Sequence, residues 1–289
     1  MRVLRWTAER FERAALCTPR LDSELLLAFA LGTDRVGLYL QHDRPLDKPE
    51  LERIGGLVRR RLRGEPVAYL LGYKEFWSKR LAVDPRVLIP RADTEALVEV
   101  ALSAIDGVDA PTIVDVGTGS GAVAIALASE RRDARVLAVD IDEGAASVAR
   151  ENAARLGVPI AVKVGDLLAP LERMHLEPGS IDLVVSNPPY LSEAELAAMA
   201  PELTFEPRRA LDGGGDGLSI YRSLVTASAP WLREGGAVAV EVGATQSAAV
   251  VALLAGDGRY TPAATARDLA GIERVVHCRR GPAKPGCGP

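Results

Sequence analysis

Ile113-Val114-Asp115-Val116-Gly117-Thr118-Gly119-Ser120-Gly121 reads as a buried strand ending in a tight glycine turn, and the apolar run Ala122 to Ala128 behind it reads as a helix. Glycines let the backbone approach a ligand closely, and a helix start presents N–H groups without intrahelical partners. The same unit recurs downstream. Arg135 to Val139 ends in Asp140, Ile160 to Val164 is followed by Gly165-Asp166-Leu167, and Ile181 to Val185 leads to Ser186-Asn187. A Gly235-Gly236 turn introduces the strand Ala237 to Val242, while Leu218 to Val225 and Thr245 to Leu254 are helical, and Thr261 to Ala266 with Glu273 to Arg279 fit an edge hairpin. Strands alternating with helices specify an α/β domain with a parallel sheet and right-handed crossovers.

In such sheets ligands bind outside the carboxyl ends of the strands, so the residues just after each strand are the candidate site. Asp140 lies 23 residues after Gly117, near the offset at which an acid takes the two ribose hydroxyls of a nucleotide-like cofactor. Asp166 is placed to meet an adenine amine and Leu167 to pack on its ring. The glycine loop alone also fits the loose dinucleotide pattern, with Ala122 in its last place. Nothing in the chain supplies an acid or base for hydride transfer, however, and S-adenosylmethionine fits better.

The turn Asn187-Pro188-Pro189-Tyr190 carries the chemistry. Two successive prolines cannot continue a strand ladder, and they fix the turn before any substrate arrives. The motif offers two acceptors, the Asn187 side-chain oxygen and the Pro188 carbonyl, to both hydrogens of a planar NH2 group, with Tyr190 against its face. A capped turn is the plainer reading of Asn-Pro alone. The loop Asp212-Gly213-Gly214-Gly215-Asp216-Gly217 is either a lid or loop bordering this site, or a solvated turn.

Upstream of these motifs the chain reads as all-helical to about residue 72. Thr18 with Pro19, and Asp47 with Pro49 and Glu50, are helix starts. The cluster Arg59-Arg60-Arg61 with Arg63 sits where a helix ends, so a solvated helix terminus is expected there, with a docking face for an acidic partner as the other reading. Residues 73 to 90 read as a hairpin linker turning at Asp84-Pro85. Residues 91 to 280 form the catalytic domain, opened by Asp93 as a possible cap, and 281 to 289 a frayed tail. Because the cofactor motifs all follow the linker, residues 1 to 72 are expected to recognise the substrate.

The 289 residues have a net charge of −4 and a 48% hydrophobic share, ordinary for a globular chain and against a global grip on nucleic acid. No uncharged run suggests a membrane span, and the charged start lacks the apolar stretch of a signal peptide. A cytoplasmic protein is the expectation. Cys17, Cys278 and Cys287, like His42, His175 and His277, are too scattered for a disulfide framework or a metal site.

Taken in order, Ala68-Tyr69-Leu70-Leu71-Gly72 with Glu75-Phe76-Trp77, Leu88-Ile89-Pro90-Arg91 with Asp93-Thr94-Glu95, Asp115 to Gly121, Asn187 to Tyr190, and Glu206-Pro207 through Asp216-Gly217-Leu218 resemble the peptide chain release factor glutamine methyltransferases, the HemK/PrmC family. The resemblance implies a seven-stranded, Rossmann-like class I methyltransferase domain behind a small helical domain and a hairpin. It also implies methylation of the glutamine side-chain nitrogen in the Gly-Gly-Gln motif of class I release factors, with no stable nucleic-acid or membrane partner. By that likeness Gly117, Thr118, Gly119, Ser120, Gly121, Asp140, Asp166, Leu167 and Asn187 bind S-adenosylmethionine. Asn187, Pro188, Pro189 and Tyr190 hold the glutamine, and Asn187, Pro188 and Tyr190 are catalytic. Ala92, Ser78 and Leu167 stand where the family usually has proline, usually has glycine and sometimes has tryptophan. The same four-residue turn also suits an exocyclic purine amine of DNA or RNA, which is the competing reading.

Overall fold

The computed structural model describes residues 2–282, so all of the expected tail beyond Pro282 lies outside the described residues. The chain divides into two compact units. One holds residues up to Lys74 together with Ala200–Phe205, and the other holds Glu75–Met199 with the residues from Glu206 onward.

The first unit is helical, with helices Arg2–Arg13, Pro19–Ala30, Arg35–Leu40, Lys48–Leu62 and Val67–Leu71. Their apolar stripes close on Leu4, Phe11, Leu26, Leu27, Ile54 and Val58. Asp47 and Glu50 form a reciprocal capping box, each side chain accepting the other's backbone N–H. Thr18 does not cap; its hydroxyl donates instead to Asp22 Oδ1 at 2.6 Å. The arginine run is not a wholly solvated terminus. Arg61 is buried, donates to Asp22 Oδ2 at 2.8 Å and pairs with Glu202, while Arg60 pairs with Glu65. A buried guanidinium is tolerable only when paired in this way.

A two-stranded hairpin, β1 (Tyr73–Phe76) and β2 (Lys79–Ala82), follows. It turns at Trp77 and Ser78, not at Asp84-Pro85, and both central residues are left-handed, with φ of 48° and 55°. Two positive φ values define the primed turn whose twist matches a tight hairpin, which is why glycine suits Ser78's position. Ala92 opens a short 3-10 helix, a first position that needs no N–H and would also accept proline.

The seven-stranded sheet contains β3 (Thr112–Val116), β4 (Arg135–Asp140), β5 (Ala161–Val164), β6 (Ile181–Ser186), β7 (Leu232–Glu241), β8 (Ala264–Arg267) and β9 (Glu273–Arg279), in the order β5-β4-β3-β6-β7-β9-β8. The first five strands in that order are parallel, and β9 is antiparallel to both β7 and β8. Alternate residues feed two cores. Ile113, Val136, Leu183 and Val185 pack with the helices Glu95–Ala104 and Ala122–Glu130, whereas Val114, Val139, Val184 and Val240 pack with Ser219–Ser228 and Ser247–Asp257. Covering both faces explains the continuous apolar run Leu183-Val184-Val185 in β6. Gly235 and Gly236, expected as a turn before a strand, lie inside β7. Ile181 pairs with Leu232 and Leu183 with Ala237, so extra residues bulge there.

Candidate active site

The carboxyl ends of β5, β4, β3, β6 and β7 lie in a row along one edge of the sheet. Gly165-Asp166-Leu167, Asp140, the glycine loop, Asn187 and Glu241 therefore share that edge. From β3 the chain crosses to β4 on one side, while β6 lies on the other, so the strand order switches between the glycine loop and Asn187, where a ligand crevice opens. Val116 pairs with Ser186, whose hydroxyl donates to the Val116 carbonyl at 2.6 Å. A Cβ built on Gly117 would stand 4.0 Å from the Asn187 carbonyl oxygen.

The glycine loop is held from beneath. Gly117, Gly119 and Gly121 are all left-handed, with φ of 73°, 55° and 83°. The Thr118 hydroxyl and the Ala124 N–H donate to Asp115 Oδ2 at 2.7 and 3.2 Å, while burial pushes the Asp115 carboxyl up to about 7 against these bonds. Gly119 N–H donates to Asp140 Oδ2 at 2.8 Å and Asp142 N–H to Oδ1 at 3.0 Å. Burial raises the Asp140 pKa, which those two bonds oppose. A carboxylate has about four lone-pair sites, so Asp140 keeps acceptor capacity for two hydroxyls. A Cβ on Gly119 would meet nothing within 4 Å, which leaves open space in front of the loop. The Gly165 N–H donates to the Asp140 carbonyl at 2.9 Å, and beyond it Asp166 is exposed and Leu167 half-buried. The donor and acceptor set thus fits a ribosyl cofactor.

Across the switch point, Pro188 is buried and Asn187, Pro189 and Tyr190 are half-buried. Asn187 Nδ2 donates to Thr94 Oγ1 at 3.2 Å, so Oδ1 is the polar atom its side chain has left to offer. Burial, then the Glu241 charge, raise the Tyr190 pKa and keep its phenol neutral. Gln246 Nε2 donates to the Tyr190 carbonyl at 2.8 Å. The Asp212–Gly217 loop borders the Asn187–Tyr190 turn, with Gly215 and Asp216 exposed. The Leu191 N–H donates to the Leu211 carbonyl and the Gly213 N–H to the Leu191 carbonyl, both at 2.9 Å, and a Cβ on Gly213 would come within 2.8 Å of Tyr190 Cα. Glycine is required there because this loop braces the Asn187–Tyr190 turn at contact distance. Asp93 does not cap a helix; it pairs with Arg274 at 3.3 Å. Arg91 joins Glu206 at 2.6 Å, and Glu206 also accepts the Ile89 N–H at 2.9 Å, tying two of the quoted motifs together.

The structure adds Thr94, Glu241, Gln246 and Arg274 to the residues read from sequence. Glu241 is 1% exposed. Burial pushes its carboxyl up to about 7, opposed by hydrogen bonds from Thr94 and Asn187 and by the Arg274 charge. Its Oε2 has no hydrogen-bond partner among the described residues. A polar residue at the end of an apolar strand is the signal that marked Asp140 and Asn187, and it marks Glu241 at the end of β7 as well.

Residues 2–72 match the PrmC N-terminal domain and residues 93–229 the methyltransferase small domain. Among solved structures, a T. thermophilus 16S rRNA N2 G1207 methyltransferase in complex with AdoMet and guanosine superposes with a TM-score of 0.51 and 17% identity over 72% of this chain and 49% of its own, a likeness of fold. The release factor glutamine methyltransferase of Moorella thermoacetica is 42% identical over 89% of both chains. That of Geobacter sulfurreducens is 43% identical over 97% of this chain and 96% of its own. With a relative of that identity spanning both chains almost end to end, and with the helical and catalytic parts each matched by its own family model, the chain belongs to the release factor glutamine methyltransferase family.

Proposed function

We propose that the chain transfers a methyl group from S-adenosylmethionine to the side-chain amide nitrogen of the glutamine in the Gly-Gly-Gln motif of class I peptide chain release factors. The observation that carries this reading is the orientation of Asn187. Its amide nitrogen is committed to Thr94, beside a glycine loop on the neighbouring strand end.

The Gly117 to Gly121 backbone, with Thr118 held on Asp115 and the Ser120 carbonyl held by Asn152, cradles the cofactor, while Asp140 accepts its ribose hydroxyls and Asp166 with Leu167 receives the adenine. When bound, S-adenosylmethionine supplies an electrophilic methyl on a sulfonium. Asn187 Oδ1 and the Pro188 carbonyl accept the two amide hydrogens of the substrate glutamine, and Tyr190 lies against the amide plane. Holding both hydrogens turns nitrogen electron density toward the cleft, where the amide lone pair is otherwise delocalised into the carbonyl. As the N–C bond forms and the S–C bond breaks, the nitrogen becomes acidic and its spare proton passes to water. No strong base is needed, in keeping with a neutral phenol at Tyr190. Alignment of nitrogen, methyl and sulfur is then the main contribution, and positioning of this kind is worth about 7 to 11 kcal/mol.

Residues 1 to 72 recognise the release factor in this reading, and the protein works in the cytoplasm; among the described residues no helix is long and apolar enough to cross a membrane. The test is to incubate the protein with methyl-labelled S-adenosylmethionine and either a class I release factor or nucleic acid. Label on the Gly-Gly-Gln glutamine is expected, and label on a purine amine alone would overturn the assignment.

A further inference from the structure

We infer that Asn152 is a positioning residue for the cofactor: it holds the glycine loop by the Ser120 carbonyl and ties that loop to the hairpin at Ala82, so that filling the cofactor site orders the hairpin and loosening the hairpin weakens cofactor binding. The inference rests on the reading of Gly117 to Gly121 as the cofactor loop and goes on to ask what fixes that loop from behind.

Gly117, Gly119 and Gly121 give the loop its left-handed turns but no stiffness, because glycine is the residue with the most freedom to lose. Other groups must hold it. The peptide unit joining Ser120 to Gly121 is held at both ends, the Gly121 N–H donating to the Thr118 carbonyl at 2.8 Å and Asn152 Nδ2 donating to the Ser120 carbonyl at 2.9 Å. The Ala124 N–H, which in a helix would take the carbonyl four residues back, donates to Asp115 Oδ2 instead, so the Asn152 amide stands in for a helical bond. The loop also packs on the helix Glu143–Leu156 that carries Asn152. A Cβ on Gly121 would lie 3.3 Å from the Cβ of Ala149, which shares a helix face with Asn152. That helix is capped by Asp142, just past Asp140, so one element underlies both the loop and the acid beside it.

The same amide holds the hairpin. The Ala82 N–H donates to Asn152 Oδ1 at 2.7 Å, and Asn152 Nδ2 donates to the Ala82 carbonyl at 3.0 Å. This is the reciprocal pair that a neighbouring antiparallel strand would make, supplied to β2 by a side chain. Arg155 donates to Asn152 Oδ1 at 2.9 Å and to the Arg80 carbonyl at 2.6 Å. An asparagine amide has two donor hydrogens and two acceptor lone pairs, and in the fully buried Asn152 all of them are in use. Ala82 presents one donor and one acceptor and Ser120 an acceptor, so backbone chemistry dictates which way the amide faces. A buried polar network with every member satisfied is stiff, and a shift of either backbone is felt by the other. The coupling is reciprocal: whatever factor the cofactor contributes to ordering the hairpin, a disordered hairpin takes from cofactor affinity. β1 begins in the helical unit and ends in the catalytic one, so the element coupled to the cofactor is the junction between them.

The test uses the full chain with S-adenosylmethionine. Amide hydrogen exchange of the wild type is expected to slow on cofactor saturation at the glycine loop and also at Ala82, by roughly 5-fold or more at the latter. Slowing at the loop without slowing at Ala82 overturns the coupling, whereas no slowing at the loop overturns the reading of the loop itself, which separates the two failures. Calorimetry follows the reverse direction. Ala82→Pro removes the donor and sets a ring against Asn152 Oδ1 without touching the loop, and it is expected to weaken cofactor binding roughly 5- to 50-fold. Asn152→Leu, similar in volume but without polar atoms, is expected to weaken it at least as much, and the double variant is expected to bind no worse than Asn152→Leu alone, since the path from hairpin to loop is then already broken. Unchanged affinity in both single variants, with only Tm lowered, means a structural tie and overturns the positioning role, as does a double variant weakened by the product of the two effects. If Asn152→Leu does not fold, Arg155→Ala on the exposed side of the same helix takes its place beside Ala82→Pro, with the same non-additive fall in affinity expected.

Discussion

Asp140→Ala separates two jobs of one carboxylate, the loop anchoring that the structure shows and the ribose contact proposed for it. In the free protein Asp140 accepts the Gly119 and Asp142 N–H groups at 2.8 and 3.0 Å, so its removal loosens the glycine loop whether or not cofactor is present. In the proposed complex its remaining lone pairs take two ribose hydroxyls. Hydrogen bonds to a charged group contribute about 1.5 to 3 kcal/mol each, so losing both hydroxyl contacts costs about 3 to 6 kcal/mol. At 1.4 kcal/mol per decade that is a weakening of roughly 10² to 10⁴-fold in Kd. Loop anchoring would lower cofactor affinity too, and affinity alone does not tell the two apart. A cofactor analogue lacking one ribose hydroxyl does. Wild-type protein should discriminate against the analogue by about 1.5 to 3 kcal/mol, and Asp140→Ala should have lost that discrimination because its partner is already gone. Calorimetry on the four combinations is the assay. If the variant still discriminates as strongly as wild type, Asp140 is a loop anchor only and the ribose contact is refuted.

Asn187→Ala should lower turnover by about 10² to 10³-fold, or ~2.7 to 4 kcal/mol, with cofactor affinity nearly kept, as for loss of one preorganised polar contact; Asn187→Asp, which keeps an accepting oxygen, should retain more activity than alanine in single-turnover assays. Asp115 binds its proton more tightly folded, at about 7, than its ordinary value of 3.8, so between those values the folded state holds more protons and its stability falls as pH rises. Denaturant unfolding of the free protein should therefore show a steeper loss across that window in wild type than in Asp115→Asn, and a steeper loss in the variant would refute the burial argument. Comparing variant with wild type cancels the opposing slope of His277, whose pKa burial lowers. Ser78→Gly removes a left-handed side-chain strain of about 1 kcal/mol and should raise Tm by a few degrees.

What was legible in the chain followed from local rules. Continuous apolar runs marked the central strands, glycines marked the turn after β3, and Asp47 with Glu50 announced a capping box that formed as expected. The misplaced features have non-local causes. The hairpin turns at Trp77-Ser78, a pair with no glycine or asparagine to flag it, while Asp84-Pro85 has turn chemistry and lies past the second strand. Gly235-Gly236 looks like punctuation, yet a Cβ on Gly236 would come within 2.9 Å of the Ile181 carbonyl, so close backbone approach explains its glycine. Arg61 finds Asp22 and Glu202, which are 39 and 141 residues away in the chain, and no helix-end rule foresees such partners.

The same contrast between local rules and remote partners explains how the candidate site is braced. The glycine loop and the Asn187–Tyr190 turn are tied to their neighbours by side chains that reach backbone atoms: Ser186 to Val116, Gln246 to Tyr190, and Asp140 to Gly119. The glycine loop at 213 to 217 adds contact instead of freedom, because its missing Cβ atoms let it lie against Tyr190. A turn preset by two prolines and braced from three directions has little left to order when substrate arrives. Little binding free energy is then lost to ordering it, and the acceptors are aligned beforehand. A reaction on a poor amide nucleophile depends on that alignment. On this reasoning, substitutions that introduce a Cβ at Gly213 should lower methylation by displacing Tyr190 while leaving the Asp140 side of the crevice, and hence cofactor affinity, nearly intact.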